Sequence, residues 1–375
     1  YAEDLIYKID KNPILKNKSD SYLINEILEN ELNQIKNSIN SAFVSINSPI
    51  ELCNIDLNSI NGTIDVEDVI DQFGLSGLVE FYTNASMKLN LDIKNLNYSQ
   101  PKEIDKIAEF YELWNSTNIN LLNTSLPINS TDLIDYQNIE QGGHWKPKQC
   151  KSRFKVAIII PFRDRLPHLK VITNYLHMFL QRQMLDYRIF VVEPTIPLNI
   201  SFNKGRVMNS AYLEVLKVDP KIDCIIFHDV DLLPEDLRNV YSCSMRPRHL
   251  SVAIDKFEYT LPYQNLVGGV LSIRTEQYRL TNGYSNLYWG WGGEDDDFGQ
   301  RIKHANLHVQ RPPASVARYK MIKHRPQNMN KNRYKLLKKT KFSRFFDGVH
   351  TVKYSVVSNQ KFNLFTYILI DVGLP

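Results

Sequence analysis

The sequence predicts an α/β fold, a Rossmann-like sheet with helices on both faces, preceded by a mostly helical N-terminal extension. Three observations carry this. From Phe154 onward, short apolar β-rich runs alternate with helical patterns, as expected of strands joined by crossover helices. The run Val156-Ala157-Ile158-Ile159-Ile160 has no polar break, as suits a buried strand. Two strands end in charged motifs, Pro161-Phe162-Arg163-Asp164-Arg165 and His228-Asp229-Val230-Asp231, and ligands of such sheets bind beyond the carboxyl ends of the strands.

Residues 1–140 are rich in Asn, Ile, Leu, Lys and Ser, with weak helical periodicity at Ile24-Ile27-Leu28 and Ile104-Ile107-Ala108-Tyr111. This reads as loosely connected helices, stem-like and partly disordered. The character changes at Gln141-Gly142-Gly143-His144-Trp145-Lys146-Pro147, which opens a second region, 141–375. There the strand Val156–Ile160 is stopped by Pro161. A helix follows over about 167–184, then a strand at Tyr187–Val192, a helix over about 204–217 and a strand at Cys224–Phe227. This order predicts a parallel sheet.

Later comes Tyr288-Trp289-Gly290-Trp291-Gly292-Gly293-Glu294-Asp295-Asp296-Asp297. Four adjacent carboxylates repel one another unless a positive group or a proton-transfer task compensates them. The glycines place Trp291 on a hinge. The segment Phe298–Leu307 reads as helical, so the acids also suit the positive end of a helix dipole. That reading alone leaves the Trp-Gly hinge unexplained.

The chain has 375 residues, 43% of them apolar, and a net charge of +4. That is enough apolar content for a sizeable core, and the mild charge argues against a dedicated nucleic-acid binder. No apolar run approaches the roughly 18 residues of a membrane span. The first residue is Tyr1 rather than Met, so a preceding segment carrying an anchor or signal is expected upstream. Asn-X-Ser/Thr triplets at Asn17, Asn61, Asn84, Asn97, Asn115, Asn123, Asn129 and Asn199 suit a chain in the secretory lumen. Four cysteines, Cys53, Cys150, Cys224 and Cys243, form no CxxC pair, and two disulfides fit better than a zinc site.

An Asp-X-Asp at a strand's carboxyl end offers oxygen ligands of the kind that hold Mg²⁺ or Mn²⁺ against phosphates. Arg163 and Arg165, at the neighbouring strand end, could hold a diphosphate or pair with those acids. Further ordered motifs accompany them: Leu180-Gln181-Arg182-Gln183, Phe202-Asn203-Lys204-Gly205-Arg206, Pro247-Arg248-His249, Val252-Ala253-Ile254-Asp255-Lys256-Phe257 and Gly268-Gly269-Val270. With the Trp-Gly-acid stretch, they make residues 141–375 resemble the β-1,4-galactosyltransferase family, and in particular its invertebrate N-acetylgalactosaminyltransferase members.

The resemblance implies a GT-A-type catalytic domain that inverts the anomeric carbon. It would pass a hexose from a UDP-sugar to the 4-hydroxyl of terminal GlcNAc, with Mn²⁺ as cofactor, as a type II membrane protein of the Golgi lumen. It implies Asp231, Met321 and His324 as metal ligands, Asp295 as the base, and Glu294 and Asp296 as holders of donor and acceptor hydroxyls. Donor contacts would come from Pro161, Phe162, Arg163, Arg165, Phe202, Lys204, Asp229, Val230, Asp231, Lys256, Tyr263, Leu266 and Trp291. Arg333, Tyr334 and Leu337 would join Asp295 and Asp296 around the acceptor. Trp291 and the stretch from Lys320 to about Arg344 resemble the family's two closing loops. The implied disulfides are Cys224–Cys243 and Cys53–Cys150.

Three departures stand out. Lys204 stands where many members have Arg, which keeps the charge and loses the fork. The segment Lys331–Arg344 carries seven basic residues and no acid, either a solvated face or a surface for an acidic acceptor. Leu266 stands where galactose-transferring members carry Tyr against the C2 substituent of the donor. Leucine leaves room for an N-acetyl group, so the expected donor is UDP-GalNAc, with UDP-galactose as the alternative. A catalytically inactive sugar-binding protein is the alternative of another class. Met321-Ile322-Lys323-His324 separates the chain from the relative that adds galactose to xylose, which carries His-X-His there.

Overall fold

The computed structural model describes residues 134–324 and 329–375, together with Cys53, Thr63, Ile64, Phe110 and Trp114. Of the helices expected within 1–133 only Phe110 and Trp114, both helical, are described, and every Asn-X-Ser/Thr asparagine except Asn199 lies outside the described residues.

The order is β1 (His144–Trp145), β2 (Lys155–Pro161), α1 (Leu166–Arg182), β3 (Asp186–Pro194), α2 (Lys204–Val218) and β4 (Cys224–His228). Then come β5 (Leu232–Pro234), β6 (Arg248–His249), β7 (Ala253–Ile254), β8 (Val270–Arg274), α3 (Thr275–Leu280) and α4 (Glu294–His304). Last are β9 (Arg318–Met321), α5 (Arg333–Leu337), α6 (Thr340–Ser343), β10 (Ser355–Lys361) and β11 (Thr366–Asp371). The strands and helices expected between 155 and 228 are all present, with ends shifted by one or two residues.

The main sheet runs β10-β11-β3-β2-β4-β8-β6, with β1 paired to β3. Its centre, β11-β3-β2-β4, is parallel as expected. Its flanks are antiparallel, so the sheet is mixed rather than parallel. The reason is the connection. A crossover helix returns the chain parallel, and none lies between β4 and β8, so β8 comes back alongside β4 in the opposite direction.

Successive side chains of a strand face opposite ways, and β2 uses both faces. Val156, Ile158 and Ile160 pack with Leu169, Ile172, Tyr175 and Leu176 of α1. Ala157 and Ile159 pack with Val207, Met208 and Ala211 of α2. Burial on both sides explains the unbroken apolar run. The chain leaves β2 through α1 to β3 on one side, then returns through α2 to β4 on the other. The reversal makes the carboxyl ends of β2 and β4 the switch point of the sheet, where a crevice opens.

A second, three-stranded sheet, β5-β9-β7, sits at that crevice. It pairs Leu232 with Met321, and Ile322 N donates to Asp231 O at 2.8 Å. Residues about 90 positions apart in sequence are thereby laid side by side. Both expected disulfides are formed: Cys224–Cys243, with Cα atoms 5.5 Å apart, and Cys53–Cys150, with Cα atoms 4.9 Å apart.

Candidate active site

Two charged clusters flank the crevice. In the first, Asp231 lies three residues beyond the end of β4 and is 4% exposed. Arg165, just before α1, places Nη1 3.0 Å from Asp231 Oδ2, and His324 Nε2 lies 2.8 Å from the same oxygen. Arginine can only donate, so His324 Nδ1, 3.1 Å from Arg165 Nη2, accepts from it. Nε2 then carries the hydrogen that faces Asp231. His168 Nε2 donates to Lys323 O at 3.2 Å and steadies the His324 segment from α1. Burial works against an ionised Asp231, but the hydrogen bond from His324 and the charge of Arg165 outweigh it and hold its pKa low. Met321 is fixed through its backbone, its N–H donating to Asp255 Oδ1 at 2.8 Å.

Carboxylate and imidazole thus meet at one point, with a guanidinium supplying positive charge, and the pairing of Met321 with Leu232 brings the methionine's backbone alongside. The donor set fits a divalent ion of intermediate softness. Among the described residues no group of three or more His, Cys, Asp and Glu is placed to hold a metal, so a site here needs the methionine.

The second cluster resolves the four adjacent acids. They form the first turn of α4, which begins four residues earlier than the helical pattern starting at Phe298. On a helix, neighbours in sequence point about 100° apart, so each acid finds its own surroundings. Asp297 is buried and paired with Arg301 Nε at 2.5 Å, while Thr340 Oγ1 donates to it at 2.6 Å. Asp296 accepts from the Tyr263 hydroxyl at 2.8 Å. Asp295 faces Lys204, whose Nζ is 3.3 Å from both its carboxylate oxygens and 3.0 Å from Asp229 Oδ1. Glu294 is 7% exposed, and its Oε2 has no hydrogen-bond partner.

Burial lowers the affinity of Lys204 for its proton, but Asp229 and Asp295 reverse that and hold the amine well above its usual value. Burial lifts Asp229 to about 6 even against Lys204. Burial, then the charge of Asp295, lifts Glu294 to about 8. At neutral pH Glu294 therefore carries a proton and can donate it in a hydrogen bond.

The two loops expected to close over the site engage each other. Gly290 and Gly292 have φ of 92° and 97°, conformations that favour glycine, and they swing Trp291 out to 54% exposure. Asn330 N donates to Trp291 O at 2.9 Å. The Arg333 guanidinium lies 5.6 Å from the Trp291 ring and 4.8 Å from the Tyr334 ring. Tyr334 is exposed and Leu337 half-buried, on the one short helix α5.

The remaining residues fall into place unevenly. Arg163 donates to Ile200 O at 2.9 Å and lies over the Phe202 ring, at the same strand end as Arg165. Leu266 is half-buried, two residues before Gly268. Lys256 is exposed on the single turn Asp255–Phe257. Pro161 closes β2. Phe162 and Val230 put their side chains into the core, Phe162 edge-on to Phe110, so neither side chain is free for a donor. Sequence reading did not single out Arg301 or Asp347, which lock the first turn of α4. The i,i+4 spacing of Asp297 and Arg301 was the available signal.

The chain matches two family descriptions, "N-terminal region of glycosyl transferase group 7" over residues 111–244 and "N-terminal domain of galactosyltransferase" over residues 248–325. It is 44% identical over 240 residues to beta-1,4-galactosyltransferase 1 of Mus musculus, covering 63% of this chain and 59% of the relative. It is 40% identical over 260 residues to beta-1,4-galactosyltransferase 1 of Homo sapiens, covering 68% and 64%. The chain thus spans about three-fifths of the length of the curated relatives it matches. The catalytic domain of Drosophila beta1,4galactosyltransferase 7, solved with xylobiose, superimposes with a TM-score of 0.52 at 29% identity, covering 59% of this chain and 95% of that one. A mutant of the same enzyme, solved with manganese, UDP-Gal and xylobiose, gives 0.51 at 29% identity. The fold is therefore GT-A-type α/β. The chain belongs to glycosyltransferase group 7, the β-1,4-galactosyltransferase family.

Proposed function

We propose that the chain is an inverting, Mn²⁺-dependent glycosyltransferase that passes GalNAc from UDP-GalNAc to the 4-hydroxyl of a terminal GlcNAc, in the Golgi lumen. The observation that carries it is the pairing across one crevice of an Asp231–His324–Arg165 cluster with an Asp295–Lys204–Asp229 cluster. One suits a diphosphate and its cation, the other a hydroxyl that must lose a proton. The relative solved with manganese and UDP-Gal supports the donor class. Among the described residues no helix is long and apolar enough to cross a membrane.

Asp231, His324 and Met321 would hold the divalent ion. When bound, that ion supplies charge for the departing diphosphate. Arg165 and Arg163 add positive charge from the end of β2. Asp295 takes the proton of the attacking hydroxyl. Lys204 holds Asp295 in place and balances the acids around it. Glu294, protonated, donates to a sugar oxygen, and Asp296 with Tyr263 offers a further polar contact. The Trp291 loop and the α5 segment close together and exclude water, which would otherwise intercept the donor.

Leu266 supports GalNAc over galactose, because an aliphatic side chain leaves width at C2 where a tyrosine ring would close it. The UDP-galactose reading keeps every other role unchanged. A panel of UDP-sugars with GlcNAc and Mn²⁺ tests both. Turnover with UDP-GalNAc above UDP-galactose is expected, and no turnover with any donor would leave only the inactive sugar-binding reading.

A further inference from the structure

The segment after α5 forms a positively charged aromatic face. Thr340 and Asp347, seven residues apart and so on one side of a helical turn, point inward. Thr340 bonds Asp297, and Asp347 Oδ2 lies 3.2 Å from Arg301 Nη2. Ser343 N bonds Lys339 O, and Arg344 N bonds Thr340 O, which keeps the turn helical. Phe342, Phe345 and Phe346, at i, i+3 and i+4, share the other side, and they are 68%, 38% and 62% exposed. Lys338, Lys341 and Arg344 are interleaved with them, and the Arg344 guanidinium lies 4.0 Å from the Phe345 ring.

Of the acids near this face among the described residues, Asp297 and Asp347 are both held by the fully buried Arg301, and Asp371 lies at the far end of the face beside Arg206 and Lys353. His304, at the end of α4, reports the surplus. Its pKa is pushed down by burial and then by Arg344, Lys341 and Lys303. At the end of the aromatic ridge Phe346 lines an open surface cavity of about 660 Å³ together with Leu287, Lys353 and Tyr354.

We propose that this face receives the inner residues of the acceptor glycan, and that those residues are acidic, bearing sulfate or carboxylate groups. The proposal rests on the acceptor reading above. A terminal GlcNAc held by Arg333, Tyr334 and Leu337 must leave its pocket over the adjoining surface, and α6 begins three residues after α5 ends. Exposed rings stack on the apolar faces of sugars, and lysines and arginine pair with the anions. A neutral glycan would leave the cations repelling one another. An anionic bilayer would favour a flat face rather than a ridge that ends in a cavity.

The test compares three acceptors with the intact enzyme: free GlcNAc, neutral chitotriose and a GlcNAc-terminated oligosaccharide sulfated on an inner residue. Binding of the two oligosaccharides is measured in parallel by calorimetry. The sulfated acceptor is expected to exceed the neutral one by about tenfold in kcat/KM and in affinity at low salt, with the gap narrowing as salt is raised. The K338E/K341E variant should lose that gap, read as the ratio of sulfated to neutral oligosaccharide within the one variant, so that any effect on loop closure is common to both acceptors. Equal binding and equal kcat/KM for both oligosaccharides, or a gap that survives in the variant, overturns the proposal. So does charge-dependent binding to phosphatidylserine vesicles without any preference for the sulfated oligosaccharide, which would make the face a membrane contact. Absence of transfer to all three acceptors refutes the acceptor reading, and the calorimetric comparison still decides this one.

Discussion

Gly268 lies directly against Asp295: a Cβ built on the glycine would fall 2.6 Å from Asp295 Oδ2. Lys204 holds the same carboxylate from another side, 3.3 Å away. The proposed base is therefore wedged between the strand entering β8 and the start of α2. Its position depends on the absence of a single methyl group.

Gly268→Ala is expected to push the Asp295 carboxylate off its place without unfolding the protein, since only a side-chain end must move. Misplacing a reacting group by about 1 Å can cost on the order of 100-fold. kcat should fall by about that factor while the far-ultraviolet circular dichroism stays unchanged. Wild-type kcat in the alanine variant would refute the wedge.

Asp295→Asn keeps the shape of the side chain and removes the proton acceptor. UDP-sugar binding by calorimetry should persist, and kcat should drop by about 10²–10⁴, the range for loss of a general base. A variant within a few-fold of wild type removes Asp295 from that role.

Chelation with EDTA should abolish transfer, and Mn²⁺ should restore it, if the proposed ligands Asp231, Met321 and His324 hold the ion. Met321→His should change the order of divalent ions that support activity, since an imidazole replaces a soft thioether. Full activity in chelator would refute the metal assignment.

The donor assignment rests on Leu266. Leu266→Tyr should reverse the proposed preference for UDP-GalNAc over UDP-galactose, by about 10–200-fold in kcat/KM, the range for packing discrimination of one group. If the ratio does not move, Leu266 is packing alone.

Glu294 titrates near 8 in the folded chain against 4.5 in the reference state. A carboxyl raised in this way supports the fold fully below its unfolded pKa, and that support is lost as pH rises through about 8. Glu294→Gln keeps the neutral shape and cannot ionise. Its Tm relative to wild type should therefore climb between pH 5 and pH 8.5. A pH-independent difference would contradict the raised pKa.

The sequence by itself determined the parallel centre of the sheet, because strands buried on both faces must be continuously apolar and the helices between them impose the crossovers. It also marked the strand ends that carry charge and the glycine hinge beside Trp291, since these are local consequences of residue type. The antiparallel flanks were decided by the route the chain takes after β4, and no local pattern encodes that route. Tertiary structure alone separated the four acids into a buried ion pair, a surface contact, a lysine-held carboxylate and a protonated carboxyl. It alone brought Met321 and His324 to Asp231, through the register of β5 on β9. Charge type and spacing are written along the chain, whereas pKa and ligand geometry depend on what burial and distant neighbours place within a few ångströms.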